Sequence, residues 1–584
     1  MLRWREILGL GCLALAALLP FSPALLADFV AWDDDINVTQ NPLVQGLDGA
    51  RLRWMFGSAE QAMRYKPLNW LAWALIYQAQ GLRPFGFHLA NLVFHSANTV
   101  LLFLILRRML QLAGTAGPTS GSPRAVNVAA VSAALLWAWH PLRVEPVAWV
   151  TGLPYGLALL FMLVSWLAYL EAGCGGKGAR RWYWGAVGAF ALAALTYPTV
   201  ILFVGVLVAL DYGLFRRFAT AGGVWWDPVA RRIWVEKIPF VLLAGAMLAP
   251  TLIERLAPGE RSRYEDFAGL REFGVFPRVM QAFYVWAYYV WKPLVPTDLA
   301  VVYPTFVDFN PASVPFVLSL SFVVVISLTL VVCRKRWPAA LALWLAYLVV
   351  TVPVLGLTER PHYPSDRYAH LPNLAWAVAV AFGLRWSWAK AGLRAGTLAV
   401  CGSVVLLCGL LAFWQTTVWN NTISLFEATL ESLEGTNYRG DIAWRLGRAY
   451  DRSGNAKRAG ECFELFRKTG WGEARGHAYA AGFWLDHGDV PAAAYHIHEA
   501  VRGSPKDAVV LSVLGTMAFR EGNFARAREL YLASLAEEPR QSVTIEKLAE
   551  TLDRLGQAGE AAMVRERAKR AGAEAVPPNR SGPR

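Results

Sequence analysis

The chain has 584 residues, more than one ordinary domain, of which 55% are hydrophobic and 17% charged, with a mean hydropathy of +0.34. Those values exclude an ordinary soluble enzyme and fit an integral membrane protein. The net charge of +13 would suit nucleic acid, but much of it lies in short loops between apolar runs, where it orients a membrane chain, so no nucleic-acid partner is expected.

Arg3 and Arg5 precede an apolar run from Ile7 to Ala27, long enough to span a bilayer. Leu25 makes a poor cleavage signal, so a retained helix is expected rather than a signal peptide. Just past this run comes Trp32-Asp33-Asp34-Asp35-Ile36-Asn37-Val38-Thr39-Gln40-Asn41-Pro42. Carboxylates are costly in lipid, so three beside a span mark either a solvated loop or a site. The apolar residues and the Asn41-Pro42 turn around them favour a site.

Further apolar segments occur at 85–106, 127–149, 153–171, 182–197, 199–215, 237–253, 314–333, 338–357, 370–388 and 395–414, which makes eleven expected spans. The basic clusters (Arg3/Arg5, Arg107/Arg108, Lys177/Arg180/Arg181, Arg216/Arg217 with Arg231/Arg232, Arg334/Lys335/Arg336 and Lys390/Arg394) then share one side, which the positive-inside rule makes cytoplasmic. The aromatic stretch 276–296 is expected as an interface-lying or partly inserted helix in a long external loop, 254–313, and 67–82 as an interfacial helix in the first external loop. The six cysteines show no metal spacing or disulfide framework, and Cys12, Cys401 and Cys408 read as small core residues.

Beyond residue 415 the chain becomes soluble and helical, and repeats every 34 residues. Gly454, Gly488, Gly522 and Gly556 are in register with Ala459, Ala493, Ala527 and Ala561, and with Pro505 and Pro539. Leu446-Gly447 recurs as Leu514-Gly515. This is the pattern of tetratricopeptide repeats (TPR), which stack into a solenoid with a concave binding face. The expected fold is therefore all-α: a polytopic membrane helix bundle over 1–414, a linker helix over 415–439, TPR repeats over 440–572 and a disordered tail over 573–584.

Four motifs fall on the external face of this topology: the triple aspartate, His140-Pro141-Leu142-Arg143-Val144-Glu145, Lys292-Pro293 with Tyr303, and Ser365-Asp366-Arg367-Tyr368. Carboxylates suit general-base work on a hydroxyl, and cations suit a phosphate leaving group. Plainer roles stand beside these: Asp366 and Arg367 as an ion pair capping a helix, and His140 and Glu145 as hydrogen bonds fixing a helix end. His88, Asn91, His95 and Asn98 share one face of the second span. They could form a metal or donor site, but read better as hydrogen-bonding glue between helices.

The strings WDDDINVTQNPLV, YKPLNWLAWALIYQAQGLRPFGFHLANLVFHSANTVLLFLILRRM, HPLRVEPVAWV, VEKIPF, YVWKPLVPTDLAVVYP, PVLGL and SDRYAHLPNL occur in order. As a set they resemble bacterial relatives of the transmembrane and TPR-containing O-mannosyltransferases (TMTC), within the type-C glycosyltransferases (GT-C). The resemblance implies a GT-C-like bundle in a bacterial inner membrane, with a cytoplasmic N-terminus and extracytoplasmic repeats. It also implies a polyprenyl-phosphate sugar donor and transfer on the outer face. The family's acidic motif falls on Asp33 and Asp34, with Asp35 an extra acid. Two departures stand out. A charged Glu-Arg-Lys-Asp usual in the family is Gly152-Leu153-Pro154-Tyr155 here, and a usual Ser-Lys-Pro is Thr196-Tyr197-Pro198. Either the donor differs, or Arg367, Lys292 and Arg143 carry its phosphate, or activity is reduced.

The sequence therefore predicts a membrane glycosyltransferase that moves a mannose-like sugar to a hydroxyl on a protein or peptide held by the repeats. Asp33 and Asp34 are the candidate catalytic residues. Arg367, Lys292 and Arg143 are the candidate phosphate ligands, supported by Asp35, His140, Glu145, Asp366, Tyr303 and His88. A divalent metal on Asp33, Asp34 and Asp35 could assist, though a single-phosphate donor does not require one. The alternatives are an inactive membrane-anchored TPR scaffold for envelope assembly, and a transporter with the His/Asn stripe as its path.

Overall fold

The computed structural model describes residues 4–57, 65–114, 123–220, 227–256, 274–303, 305, 309–357, 364–388, 390–539 and 541–573. Every regular element among them is helical. The chain divides into two compact units, Met1–Asp34 with Leu43–Asn420, and Asp35–Pro42 with Asn421–Arg584. The expected tail beyond Ala573 and part of the 254–313 loop, Pro304 included, lie outside the described residues.

In the first unit all eleven apolar segments are helical, but they are not equally long. Among the described residues, five helices are long and apolar enough to cross a membrane: Trp4–Leu26, Pro84–Gly114, Val150–Gly173, Val314–Val332 and Arg394–Val418. The chain is thus a membrane protein. Pro198–Gly213 and Pro338–Val354 are shorter apolar helices.

The expected span 127–149 is not one rod. It is two pieces, Pro123–Ala138 and Pro141–Ala148, bent by 62°. Proline lacks a backbone donor and disfavours the α conformation in the residue before it. His140, before Pro141, is accordingly extended, with φ −67° and ψ 134°. The same chemistry shortens the first helix: regular α-helix ends at Leu18, and a tighter 3₁₀ turn with Pro20 and Pro23 continues to Leu26.

Small residues set the packing. Ala129, Ala130, Ala133 and Ala134 are buried in a core with Leu106, Leu163, Phe190 and Phe203, the small-residue contact that lets membrane helices approach closely. A Cβ on Gly409 would lie 2.5 Å from the Trp139 ring, so the Arg394–Val418 helix passes directly over that indole. The Val275–Trp291 helix buries one side: Met280, Val285, Tyr288 and Tyr289 share a core with Leu142, Phe316, Tyr347, Val354 and Tyr368. All six cysteines are unpaired. Cys408 is buried, whereas Cys12, expected in a core, is on the outer side of its helix.

In the second unit the 34-residue period becomes four helix pairs: Arg439–Arg452 with Ala456–Thr469, Ala474–Asp486 with Val490–Gly503, Ala508–Arg520 with Phe524–Glu537, and Ser542–Arg554 with Ala558–Ala573. Gly454, Gly488, Gly522 and Gly556 have φ between +74° and +80°, the left-handed helix ending that glycine adopts without a Cβ clash. Asn455, Asp489 and Asn523 cap the helices that follow. Ala459, Ala493, Ala527 and Ala561 are fully buried at the crossings. Gly447 and Gly515 face the Phe463 and Tyr531 rings, where a Cβ would sit 3.1 and 2.7 Å from ring carbons.

Candidate functional site

The triple aspartate does not act as one cluster. Asp34 is fully buried, whereas Asp33 is exposed and Asp35 half-buried at the start of the Asp35–Thr39 π-helical turn. Asp34 Oδ1 accepts the Thr151 backbone N–H at 2.9 Å and the Thr151 hydroxyl at 2.7 Å. Its Oδ2 accepts the Val30 N–H at 3.0 Å. Burial pushes the Asp34 carboxyl up to about 7, against these three hydrogen bonds, and the charge of Asp33 adds to the rise. Asp33 itself has φ +68°, a left-handed conformation that costs a non-glycine residue about 1 kcal/mol and that aspartate tolerates better than most.

This arrangement does not fit the divalent metal that the sequence suggests. The Asp34 oxygens are already taken by three donors. Among the described residues no group of three His, Cys, Asp or Glu side chains could hold a metal ion. No step below passes through one.

The turn that holds Asp34 also reaches Arg367. The Trp149 indole N–H donates to the Trp32 carbonyl at 2.8 Å, and the Arg367 guanidinium lies 5.6 Å from the Trp149 ring centroid. Gly152 makes the turn tight, since a Cβ there would lie 2.6 Å from the Pro146 carbonyl oxygen. The Arg367 guanidinium pairs with Glu145, and the Arg367 backbone N–H donates to Glu145 Oε2 at 2.6 Å. The Ser365 hydroxyl donates to the same carboxylate at 3.2 Å. The break at Pro141 thus brings Glu145 onto the Ser365–Arg367 backbone, 222 residues away.

Next to Arg367, Asp366 is buried and accepts the Tyr303 hydroxyl at 2.8 Å. Burial raises the Asp366 carboxyl and the Glu145 charge adds to it, to about 7. Lys292 donates to the Thr297 carbonyl at 2.6 Å and lies 5.4 Å from the Tyr303 ring centroid. Burial lowers its ammonium, while Asp366 and Asp298 oppose the shift. Asp366, Lys292 and Tyr303 therefore form one group, joined to the Glu145–Arg367 pair through the 365–367 backbone.

Two of the remaining candidates, His140 and Arg143, meet backbone carbonyls. His140 Nδ1 accepts the Leu142 N–H at 3.2 Å, which makes Nε2 the protonated nitrogen, and Nε2 donates to the Pro293 carbonyl at 2.9 Å. It caps the broken helix and ties it to the turn after Lys292. Arg143 is fully buried, donates to the Ala369 carbonyl at 3.1 Å, and lies 5.4 Å from the Trp137 centroid. His88 is buried on the Pro84–Gly114 helix. On the same stripe, Asn91 donates to the Trp149 carbonyl at 2.6 Å and Asn98 to the Gly156 carbonyl at 2.8 Å, the interhelical glue expected of it.

Arg367 opens onto a cleft that sequence reasoning does not reveal. Its apolar wall is Ala158, Leu159, Val200, Val350 and Val354, and its polar end is Tyr155, Thr199, Arg367, Tyr368 and His370. Tyr155 and Tyr197, which lie in the two strings that depart from the family's charged pattern, meet hydroxyl to hydroxyl at 3.2 Å. Thr151 and Trp149 are contributors that sequence reasoning does not single out. Both sit inside or beside a recognised string, but nothing local marks them as partners of a loop 117 residues earlier.

No family model matches the chain. It is 32% identical over 142 residues to protein O-mannosyl-transferase Tmtc3 of Drosophila melanogaster, covering 22% of this chain and 15% of that protein. It is 38% identical over 112 residues to TMTC4 of Homo sapiens, covering 18% and 15%. With TMTC3 of Homo sapiens it shares 22% identity over 424 residues, 68% of this chain and 43% of that protein. The chain is thus a distant relative of the TMTC proteins and spans less than half the length of each of these three. The solved MamA protein, 17% identical, aligns with 27% of this chain and 87% of its own at a TM-score of 0.21. The repeat assignment therefore rests on the helix pairs themselves.

Proposed function

We propose that the chain is a membrane glycosyltransferase. In this reading it transfers a mannose-like sugar from a polyprenyl-phosphate donor to a hydroxyl, on protein serine or threonine, at the extracytoplasmic face of a bacterial inner membrane. The phosphate sits at Arg367, and the isoprenoid extends into the surrounding lipid. The acceptor oxygen attacks the anomeric carbon as the bond from that carbon to the phosphate oxygen breaks. The hydroxyl proton passes to Asp33, and polyprenyl phosphate leaves with its charge met by Arg367. Asp34 serves as the buried anchor of the acidic turn. The repeats hold the acceptor polypeptide.

One observation carries the reading: the Trp149–Gly152 turn holds Trp32 and Asp34, on either side of the outward Asp33, and its Trp149 ring lies 5.6 Å from the guanidinium of Arg367, a residue that lines the cleft. The names of the relatives, protein O-mannosyl-transferases, point to the same chemistry. The test is consumption of radiolabelled polyprenyl-phosphate mannose by membranes carrying the chain, with label appearing in protein. Wild-type membranes that leave the donor untouched would remove the proposal. A scaffold without catalysis is the second reading. It is favoured by the pairing of Arg367 with Glu145 and by the uncharged Tyr155–Tyr197 contact. It requires unchanged partner binding in Asp33→Asn and no donor consumption by wild type.

A further inference from the structure

The acidic turn depends on one side chain that no motif marks. Of the three donors to the Asp34 carboxylate, two belong to Thr151, its backbone N–H and its hydroxyl, both on Oδ1. The flanking residues fix that turn in place. Trp149 holds the Trp32 carbonyl through its indole and takes Asn91 on its own carbonyl. Gly152 packs on the Pro146 backbone. We propose that Thr151 is a positioning residue. Its hydroxyl holds Asp34 inward, and Asp34 in turn keeps Asp33 outward on its left-handed backbone. The catalytic consequence rests on the glycosyltransferase reading above; the structural role does not.

The chemistry asks for a hydroxyl at 151 rather than for bulk. The backbone N–H survives a change of side chain to serine, valine or alanine, but the second donor to Oδ1 is kept only by serine. A buried carboxylate losing one of three donors binds its proton more tightly. Asp33 is the charged neighbour acting on Asp34. Beyond Trp149 the charge of Arg367 is met by Glu145. From the Pro84–Gly114 helix, His88 turns toward the backbone of Asp28 and Ala148.

The experiment uses the full chain in lipid nanodiscs, comparing wild type with Thr151→Ser, Thr151→Val and Thr151→Ala. Infrared titration follows the carboxyl band assigned to Asp34 by its loss in Asp34→Asn. In parallel, the pH profile of polyprenyl-phosphate mannose consumption is measured. Thr151→Ser should titrate as wild type. Thr151→Val and Thr151→Ala should titrate about one pH unit higher, which is about tenfold in the proton equilibrium. Turnover should fall in those two variants, through an Asp33 displaced from its outward position, and be restored in Thr151→Ser, while KM for the donor stays constant. A wild-type titration in Thr151→Val, or a serine variant that behaves like valine, overturns the role. If wild type consumes no donor, the enzyme reading falls, and the infrared shift alone decides whether Thr151 holds Asp34.

Discussion

Thr151 and Asp34 are 117 residues apart in the chain and share two hydrogen bonds, one from the Thr151 backbone and one from its hydroxyl. That link divides the work of adjacent acids. Asp34 lies inside and is satisfied, while Asp33 lies outside on a left-handed backbone. Two neighbouring aspartates should therefore fail in different ways when changed.

Asp33→Asn should lower sugar transfer by about 10²–10⁴-fold, the range of a general base. Its thermal midpoint in detergent should move less than that of Asp34→Asn, because the Asp33 side chain is exposed and that of Asp34 is buried. Asp34→Asn should lower transfer as well, but with a changed protease sensitivity of the 30–42 loop. Normal transfer by Asp33→Asn would move the base elsewhere.

The pH response of Asp34 has a definite sign. Its folded carboxyl lies at about 7, above the unfolded value of about 3.9. Between those values the folded chain holds a proton that the unfolded chain has lost, so this group's contribution to stability is full below about pH 4 and is lost as pH rises through about 7. Asp34→Asn, uncharged throughout, should flatten the thermal midpoint between about pH 4 and 7. An equally steep profile in the variant would assign the slope to another group.

Glu145 accepts Arg367 twice and Ser365 once in a buried setting. Glu145→Ala strands these donors and should cost about 3–5 kcal/mol, as for a broken buried pair. The readout is a lower thermal midpoint together with a raised KM for the donor, since Arg367 loses the carboxylate that orients it.

Gly152→Ala places a Cβ against the Pro146 carbonyl oxygen at 2.6 Å. Backbone cannot yield as a side-chain tip can, so a cost of about 1–3 kcal/mol is expected. Donor turnover should fall even though residue 152 touches no substrate. Gly245 is the control: a Cβ there meets nothing within 4 Å, and Gly245→Ala should be silent in both assays.

Deleting residues 440–584 should impair acceptor choice more than donor turnover. Membranes without the repeats that modify the native acceptor equally well would remove the acceptor-clamp role.

The repeats are the most legible part of the sequence. Gly454, Gly488, Gly522 and Gly556 each end a helix in the same left-handed conformation, and that requirement is local enough to leave a visible period. The membrane half is legible as helices but not as spans, because apolar runs say nothing of where a proline ends a rod. Pro141 is in plain view, yet only the folded chain shows the 62° bend and what it sets beside Ser365. The acidic string is legible as a special place, but not its division into one inward and one outward carboxylate. Asp34 is held from Val30 and Thr151, and the second of these contacts is invisible to any local window. Arg143 matches a cation-rich motif and lies instead against the Ala369 carbonyl, fully buried, since a motif records residue type and not direction.

The bend at Pro141 also bears on how this protein carries ions beside its apolar helices. Arg143 and Glu145 follow directly on an apolar helix, and lone charges are heavily penalised where such a helix meets lipid. Folding the last turns sideways hides both among protein groups, with carbonyls and a guanidinium as their solvent. Replacing Pro141 by alanine would restore the missing donor and remove the clash, so Pro141→Ala should loosen the contacts that Arg143 and Glu145 make in the folded chain.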